Sequence, residues 1–527
     1  MKKWSGWRSE YAKEKYDVII IGSGMSGLTA GVLLARHGKK VLIIEKHFKA
    51  GGWTHTFKRN NYEWDVGIHY IGEVHSKRSP VRKLFDLVSN GELEWNKMDD
   101  NYDRIIFPDN QYNLNAPRER FIPDMAEYFP GTEDKLVKYL NLVDGAVKSG
   151  QNYFANKALN RWIQKLGYRA MTKKFFSYSD RTTKDVIMEI FNDKKILGVL
   201  SGQWGDYGLP PGESSFAMHS MVARHYLNGG NYPIGTSRRI AETAVEHLES
   251  LGGHLYVNAG VDTILTNQNK AIGVKLEKGD EIFAPLVISS AGVVNTFGKF
   301  LRNSPNHEKY NSLLGKVTPT PSYACLYMGL NKSAEELKLS NTNLWIYPGY
   351  NHDENVSTFL KNTEKDFPVV YISFPSAKDP SFLENNPNHA TMEAIIVSPF
   401  KYYNKWRDKE WKNRGDEYEM IKSKISDKIL KKVYEHVPQS RIAMDYHELS
   451  TPLSVKSLAN YQYGELYGIN HDANRFHQKW LRASTDIKNL YLTGQDIVTV
   501  GVTSALFSGL LTASSILKKN LMKELNN

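Results

Sequence analysis

The sequence predicts an α/β protein, with a parallel-sheet dinucleotide-binding domain interleaved with a mixed α+β domain. Three observations carry this. Residues 16–52 read as strand, glycine turn, helix, strand and acid, and residues 490–513 repeat a strand, a glycine turn and a helix at the other end of the chain. At 527 residues the chain is too long for one small core, so two domains are expected. The 41% apolar and 24% charged residues are ordinary globular values.

The first stretch opens on Val18-Ile19-Ile20-Ile21, an unbroken apolar run of the kind a buried parallel strand requires. Gly22-Ser23-Gly24-Met25-Ser26-Gly27 follows. Gly22 permits the tight turn, Gly24 lets the backbone approach a pyrophosphate, and Gly27 lets the helix pack close to the sheet. The helix N-terminus then offers free N–H groups and a positive dipole end to the phosphates. Gly38 stops the helix, and Val41-Leu42-Ile43-Ile44 ends on Glu45, about eighteen residues after Gly27, where an acid can accept from a ribose diol.

Beyond Glu45 the chain reads Lys46-His47-Phe48-Lys49-Ala50-Gly51-Gly52, then Trp64-Asp65-Val66-Gly67-Ile68-His69-Tyr70-Ile71-Gly72. Further patches are Ser215–His219, His225-Tyr226, Tyr232-Pro233-Ile234-Gly235, Tyr467-Gly468 and Leu492-Thr493-Gly494-Gln495-Asp496. Together they resemble the retinol saturase and carotenoid isomerase family (all-trans-retinol 13,14-reductase-like proteins), in the phytoene-desaturase and amine-oxidase branch of flavoproteins. The patches spread from about residue 16 to 515. His69–Gly72 and Thr493–Asp496 are the more specific of them.

The resemblance implies a glutathione-reductase-type FAD-binding Rossmann domain, FAD as cofactor, and an apolar polyene or isoprenoid lipid as substrate. Carried onto this sequence, the FAD-binding positions are Gly22, Gly24, Met25, Ser26, Gly27, Glu45, Lys46, Gly51, Gly52, Trp53, Val261 through its backbone, Ala291, Gly494, Asp496 and Val502. Asp496 is the match to an acid that binds the ribityl chain; a capping or turn role is the alternative. The family usually shows paired glycines after the proline, whereas here Gly235 is followed by Thr236.

Residues 16–75, 226–300 and 456–527 are expected to form the FAD-binding domain, and residues 76–225 and 301–455 the substrate domain. Ile240, Ala241, Ala244, Val245, Leu248 and Leu251 make a helical stripe ended by Gly252-Gly253, followed by strand-like runs at 254–258, 261–265 and 272–276 and by 284–292, which reads as a buried strand meeting a turn. Alternating runs at 322–330 and 369–374 predict strands, and Tyr418, Ile421, Ile425, Ile429 and Val433 predict a helix over about 416–436. The order of elements in 76–150 is not legible.

Residues 155–178 place Leu159, Trp162, Ile163, Leu166 and Ala170 on one helical face, with Lys157, Arg161 and Lys165 opposite and Arg169, Lys173 and Lys174 extending the charge. This pattern fits a helix lying on a membrane surface and equally one packed on the core. The family's apolar substrates favour the membrane. No run reaches the roughly 18 apolar residues of a spanning helix, and residues 1–15 lack the apolar region of a secretory signal. A cytoplasmic protein, peripheral on the membrane, is the expectation. The net charge of +11 comes from scattered basic residues without a nucleic-acid motif, so no nucleic-acid partner is expected. Cys325 is the only cysteine, which excludes an internal disulfide and a cysteine-based zinc site. The histidines have no metal-ligand spacing. The oligomeric state is not legible.

There is no second glycine fingerprint between a strand and a helix, hence no dedicated nicotinamide module; NAD(P) stands beside other donors as a candidate electron donor or acceptor. An alkene reduction requires a hydride and a proton. The candidate acids are His69 and Tyr70, next to the Asp65–Gly67 patch, and Glu465 and Tyr467, ahead of the C-terminal patch; His219 and Tyr226 are weaker. Each also fits a buried group bonded to backbone, or in the case of Glu465 a surface carboxylate. Saturation of a polyene is the leading expectation. Isomerisation or desaturation of the same lipids, amine or porphyrinogen oxidation, and lipid binding with a structural flavin are the alternatives.

Overall fold

The computed structural model describes residues 3–159 and 161–526, with the side chains of 161–166 and 526 outside that description. A five-stranded sheet runs in the order His254–Tyr256, Val41–Ile44, Val18–Ile21, Leu286–Ser289, Leu490–Leu492, with every pair parallel. All residues of the two central strands Val18–Ile21 and Val41–Ile44 are buried, which is why their sequences are apolar without alternation. On one face lie the helices Met25–Arg36, Arg238–Ser250 and Val502–Leu517, which share a core of Leu28, Val32, Ala241, Val245, Leu506 and Leu510 with Ile20 and Ile43. On the other, Val261–Asn267, Lys270–Leu276 and Glu281–Phe283 form an antiparallel sheet that packs Val261, Val274 and Leu276 with Ile19, Leu42 and Val287.

A second sheet has seven strands in the order Met444–Ser450, Tyr323–Leu330, Ala390–Val397, Val370–Ser373, Asn343–Ile346, Asn101–Ile106, Gln111–Asn115. Only Asn343–Ile346 and Asn101–Ile106 pair in parallel. The pleat sends alternate side chains to opposite faces. Leu326, Met328 and Leu330 pack with Ile429, Leu430 and Val433 of the helix Asp416–His436. Tyr323, Cys325 and Tyr327 face a cavity on the other side. Helices Glu133–Ala158, Arg161–Ser179, Thr183–Phe191, Lys194–Leu200 and Phe216–Tyr226 form a helical layer, with Tyr139, Val143, Val186 and Ile190 sharing a core with Ile105 and Trp345 of the sheet.

The expected α/β architecture is present, with one local correction. The helix expected across 155–178 is two helices, broken at Leu159, whose backbone is extended (φ −69°, ψ 154°). Lys157 belongs to the end of the first helix and is buried, so it is not part of a solvated basic face. Its ammonium donates to the Ile497 carbonyl at 2.9 Å and lies over the Tyr153 ring. The side chains of Arg161, Trp162, Ile163, Lys165 and Leu166 lie outside the described residues, while Arg169, Lys173 and Lys174 are exposed. Among the described residues no helix is long and apolar enough to cross a membrane.

Candidate functional site

One cavity of about 2100 Å³ runs from the first glycine turn to the inner face of the seven-stranded sheet. Fourteen of the fifteen residues singled out for FAD line it: Gly22, Gly24, Met25, Ser26, Glu45, Lys46, Gly51, Gly52, Trp53, Val261, Ala291, Gly494, Asp496 and Val502. Gly27 stands behind the wall. A β-carbon there would meet the Gly22 carbonyl oxygen at 2.3 Å, so its part is the close approach of helix to turn.

At the nucleotide end, the Met25–Arg36 helix starts after Gly24 with no side-chain cap, so its first N–H groups are free toward the cavity that Met25 and Ser26 line. Glu45 leaves the end of its strand and is held at the cavity wall: Oε2 accepts from the Ser23 amide at 2.8 Å and hydroxyl at 2.7 Å, and Oε1 from the His47 amide at 2.8 Å. Lys46 pairs with Glu277 at 3.0 Å. Gly52 packs on the first turn, where a β-carbon would stand 3.1 Å from the Gly24 α-carbon. Trp53 stacks on Tyr461, 5.8 Å between centroids.

The C-terminal segment closes this end. Asp496 Oδ1 accepts from the Ile469 amide at 3.1 Å and Oδ2 from the Val293 amide at 2.9 Å, so the carboxylate ties three loops together at the cavity wall. The Val502–Leu517 helix starts after Gly501, again without a side-chain cap, and the buried Thr503 Oγ1 has no hydrogen-bond partner while its residue lines the cavity. Two uncapped helix N-termini, a cradle that β-carbons would fill and an orphaned hydroxyl on one wall fit a dinucleotide such as FAD.

The far end is aromatic, with Tyr226, Tyr323, Trp345, Tyr371 and Tyr467 on its walls. His69 lies there too. Its Nδ1 is 2.8 Å from Glu393 Oε2, close but outside hydrogen-bond alignment. Burial lowers the pKa of His69 and raises that of Glu393, pushing both toward their uncharged forms, while the nearby Lys378 pulls Glu393 the other way. The buried Lys378 donates to the His69 carbonyl at 2.9 Å, to Ser373 Oγ at 2.7 Å and to Asn343 Oδ1, three acceptors for its three protons. Burial brings its pKa down to about 7 against the opposing pull of Glu393, Asp103 and Asp65.

Tyr70 also lines the cavity, stacked on Tyr226 at 4.1 Å, with its hydroxyl 2.9 Å from Asp103 Oδ2 and 3.3 Å from Asp206 Oδ2. Tyr467 packs against Tyr323, 5.8 Å between centroids. Glu465 does not reach the wall: its Oε2 accepts from the Tyr463 amide at 2.8 Å, and burial raises its pKa to about 7. His219 is likewise behind the wall, its Nε2 paired with the Tyr139 hydroxyl at 2.8 Å.

Comparison with known proteins places this geometry. The model of an NAD(P)-binding Rossmann-like domain matches residues 20–87. All-trans-retinol 13,14-reductase of Danio rerio is 35% identical over 545 aligned residues, covering 98% of this chain and 89% of that protein. The chain belongs to the all-trans-retinol 13,14-reductase family. It is therefore an oxidoreductase by kinship. Prolycopene isomerase 2 of an Oncidium hybrid cultivar is 24% identical over 97% of this chain and 86% of its own. A variant of putrescine oxidase has the same fold, with a TM-score of 0.64 at 15% identity over 96% of this chain and 99% of that one.

Four ionisable groups of this retinol-reductase-family chain have no signal in the sequence: Asp103, Asp206, Lys378 and Glu393. They come from separate strands, helices and turns and meet only through the fold, so no spacing reports them.

Proposed function

We propose that the protein is an FAD-dependent oxidoreductase that reduces a carbon–carbon double bond of a long apolar polyene or isoprenoid lipid. The observation that carries this reading is the continuity of the cavity: the glycine cradle, Glu45 and the two helix N-termini line the same cavity as the aromatic compartment. When bound, FAD supplies a hydride through its isoalloxazine. The chain supplies the rest. Gly22, Gly24, Met25 and Ser26 offer backbone donors to a pyrophosphate, and Glu45 offers carboxylate oxygens to a ribose. Val261, Ala291, Gly494, Asp496 and Val502 enclose the remainder of the cofactor. Tyr226, Tyr323, Trp345, Tyr371 and Tyr467 exclude water from an apolar chain and hold it flat against the site.

The relatives' printed activities support the lipid class, one a retinol reductase and one a prolycopene isomerase. An isomerase of the same lipids is the second reading, and it rests on the more distant of the two. Amine oxidation rests on fold likeness at 15% identity alone. NAD(P) is one candidate source of reducing equivalents. A peripheral contact with an anionic membrane is part of the proposal, carried by the exposed Arg169, Lys173 and Lys174 beside an apolar substrate that must leave a bilayer.

The cofactor assignment is tested by denaturing purified protein and identifying the released flavin. FAD at close to one per chain is expected. Protein that holds no flavin even after FAD is supplied contradicts it. Rapid hydrogen peroxide release with amines would favour the oxidase reading.

A further inference from the structure

The Tyr70 hydroxyl has one proton and two carboxyl neighbours, Asp103 Oδ2 at 2.9 Å and Asp206 Oδ2 at 3.3 Å. A phenol donates along only one of these directions. The surrounding network selects Asp103. Gln203 Nε2 donates to the same Oδ2 at 2.7 Å, and Asn343 Nδ2 donates to Oδ1 at 2.9 Å. The orientation of Asn343 is fixed because Lys378 donates to its Oδ1, leaving Nδ2 for Asp103. Three donors converging on one buried carboxyl suit its ionised form.

With the Tyr70 proton directed at Asp103, the contact with Asp206 is a hydrogen bond only when Asp206 is protonated and donates to the phenol oxygen. Burial, and then the charge of Asp103, push Asp206 the same way, well above the usual carboxylate range. Asp206 lines the cavity beside Tyr323, Trp345 and Tyr467, whereas Asp103 does not reach the wall. Of the other candidate acids, Glu465 does not reach the wall, burial drives His69 toward its neutral form, and burial pushes the Tyr467 phenol well above its ordinary range.

We propose that Asp206 is the catalytic acid of the alkene reduction, with Tyr70 and Asp103 as positioning residues that hold its proton ready and then stabilise the carboxylate left behind. This rests on the reductase reading above. In the step the π bond of the alkene breaks. One carbon takes a hydride from reduced flavin, the two-electron reductant, and its neighbour takes the proton from Asp206. Two C–H bonds form, the flavin is oxidised, and Asp206 becomes a carboxylate. The Tyr70 O–H then turns from Asp103 to Asp206, while Asp103 keeps Gln203 and Asn343. Asp206 recovers its proton from water once the product has left.

The first test needs no substrate. Infrared difference spectra of wild type against Asp206→Asn at neutral pH should show one protonated-carboxyl carbonyl band that belongs to Asp206. Tyr70→Phe should shift that band, because the acceptor of its proton is gone. No band assignable to Asp206, or a band that Tyr70→Phe leaves in place, overturns the proposal.

The second test uses the dithionite-reduced, FAD-loaded enzyme and a polyene that the wild type saturates. Asp206→Asn should slow turnover by about 10²–10⁴-fold with flavin content and lipid binding retained, and Asp206→Glu should recover part of the rate. Wild-type turnover in Asp206→Asn overturns the assignment of the acid and leaves the reductase reading intact. A wild type inert on every polyene contradicts that reading, while the infrared band still decides whether Asp206 stands protonated.

Discussion

A β-carbon on Gly27 would lie 2.3 Å from the carbonyl oxygen of Gly22, and Ser290 Cβ is the next neighbour at 3.3 Å. The obstructing atom is backbone and cannot swing aside. Gly27→Ala must therefore displace the turn whose geometry makes the cofactor cradle. A cost of about 1–3 kcal/mol is expected, together with loss of most bound flavin. Flavin content of the purified variant and its denaturant midpoint report the two effects. Full flavin occupancy would contradict this role for the glycine.

Thr236 occupies the position where the family's second glycine is usual, and it keeps the left-handed backbone, with φ 71°. The strain is held by Asp379, whose carboxylate accepts from both the Gly235 and Thr236 amides, the latter at 2.9 Å. A β-branched residue in this region costs about 1–3 kcal/mol, partly offset by the stiffer unfolded chain. Thr236→Gly is expected to raise the unfolding free energy by about 0.5–1 kcal/mol. A lowered melting temperature would show that the threonine's own contacts outweigh the strain.

Lys157 tests the division of the basic segment into two helices. Its buried ammonium sits in the interior, pushed well below the usual lysine range by burial and by the charges of Arg475 and Arg482. Lys157→Met removes the donor to the Ile497 carbonyl and should cost about 1–3 kcal/mol without changing co-sedimentation with anionic vesicles. Charge reversal at Arg169, Lys173 and Lys174 should instead weaken vesicle binding and leave stability nearly unchanged. Equal effects of the two variants on vesicle binding would contradict the division.

Much of the frame was legible because its elements advertise themselves locally. Val18–Ile21 and Val41–Ile44 are apolar on both faces, as central parallel strands must be, and Tyr323–Leu330 alternates as a strand between a core and a cavity does. The 26-residue helix Glu133–Ala158 was not legible. Its buried Leu136, Tyr139, Leu140 and Val143 have helical spacing, but lysines and asparagines surround them and Gly145 and Gly150 interrupt the run. Lys157 misled for a related reason: spacing continued the basic face through Leu159, where the backbone leaves the helix. Asp103 and Asp206 are 103 residues apart, and the Tyr70 hydroxyl between them makes them a pair.

Glu465 gives a pH-dependent stability with a defined sign. Its pKa rises from 4.5 to about 7 on burial, so the folded state prefers the protonated form. That preference is fully present below pH 4.5 and is lost as pH rises through about 7. The unfolding free energy of the wild type should therefore fall relative to Glu465→Gln across this window, by up to about 3 kcal/mol. Denaturant titrations of both proteins at a series of pH values measure it. Parallel profiles would show that the carboxyl is no harder to ionise in the folded protein.

The most direct test of the central claim is anaerobic. The bound flavin is reduced with dithionite and its spectrum followed while retinol, a carotenoid and an unsaturated fatty acid are each presented, with products analysed by mass. Flavin reoxidation with a product about two mass units heavier, the mass of the added hydride and proton, is the expected result for at least one polyene. A product of unchanged mass with the flavin still reduced would contradict the reductase reading in favour of isomerisation, and a flavin that stays reduced with all three lipids unaltered would contradict the lipid-reductase account altogether.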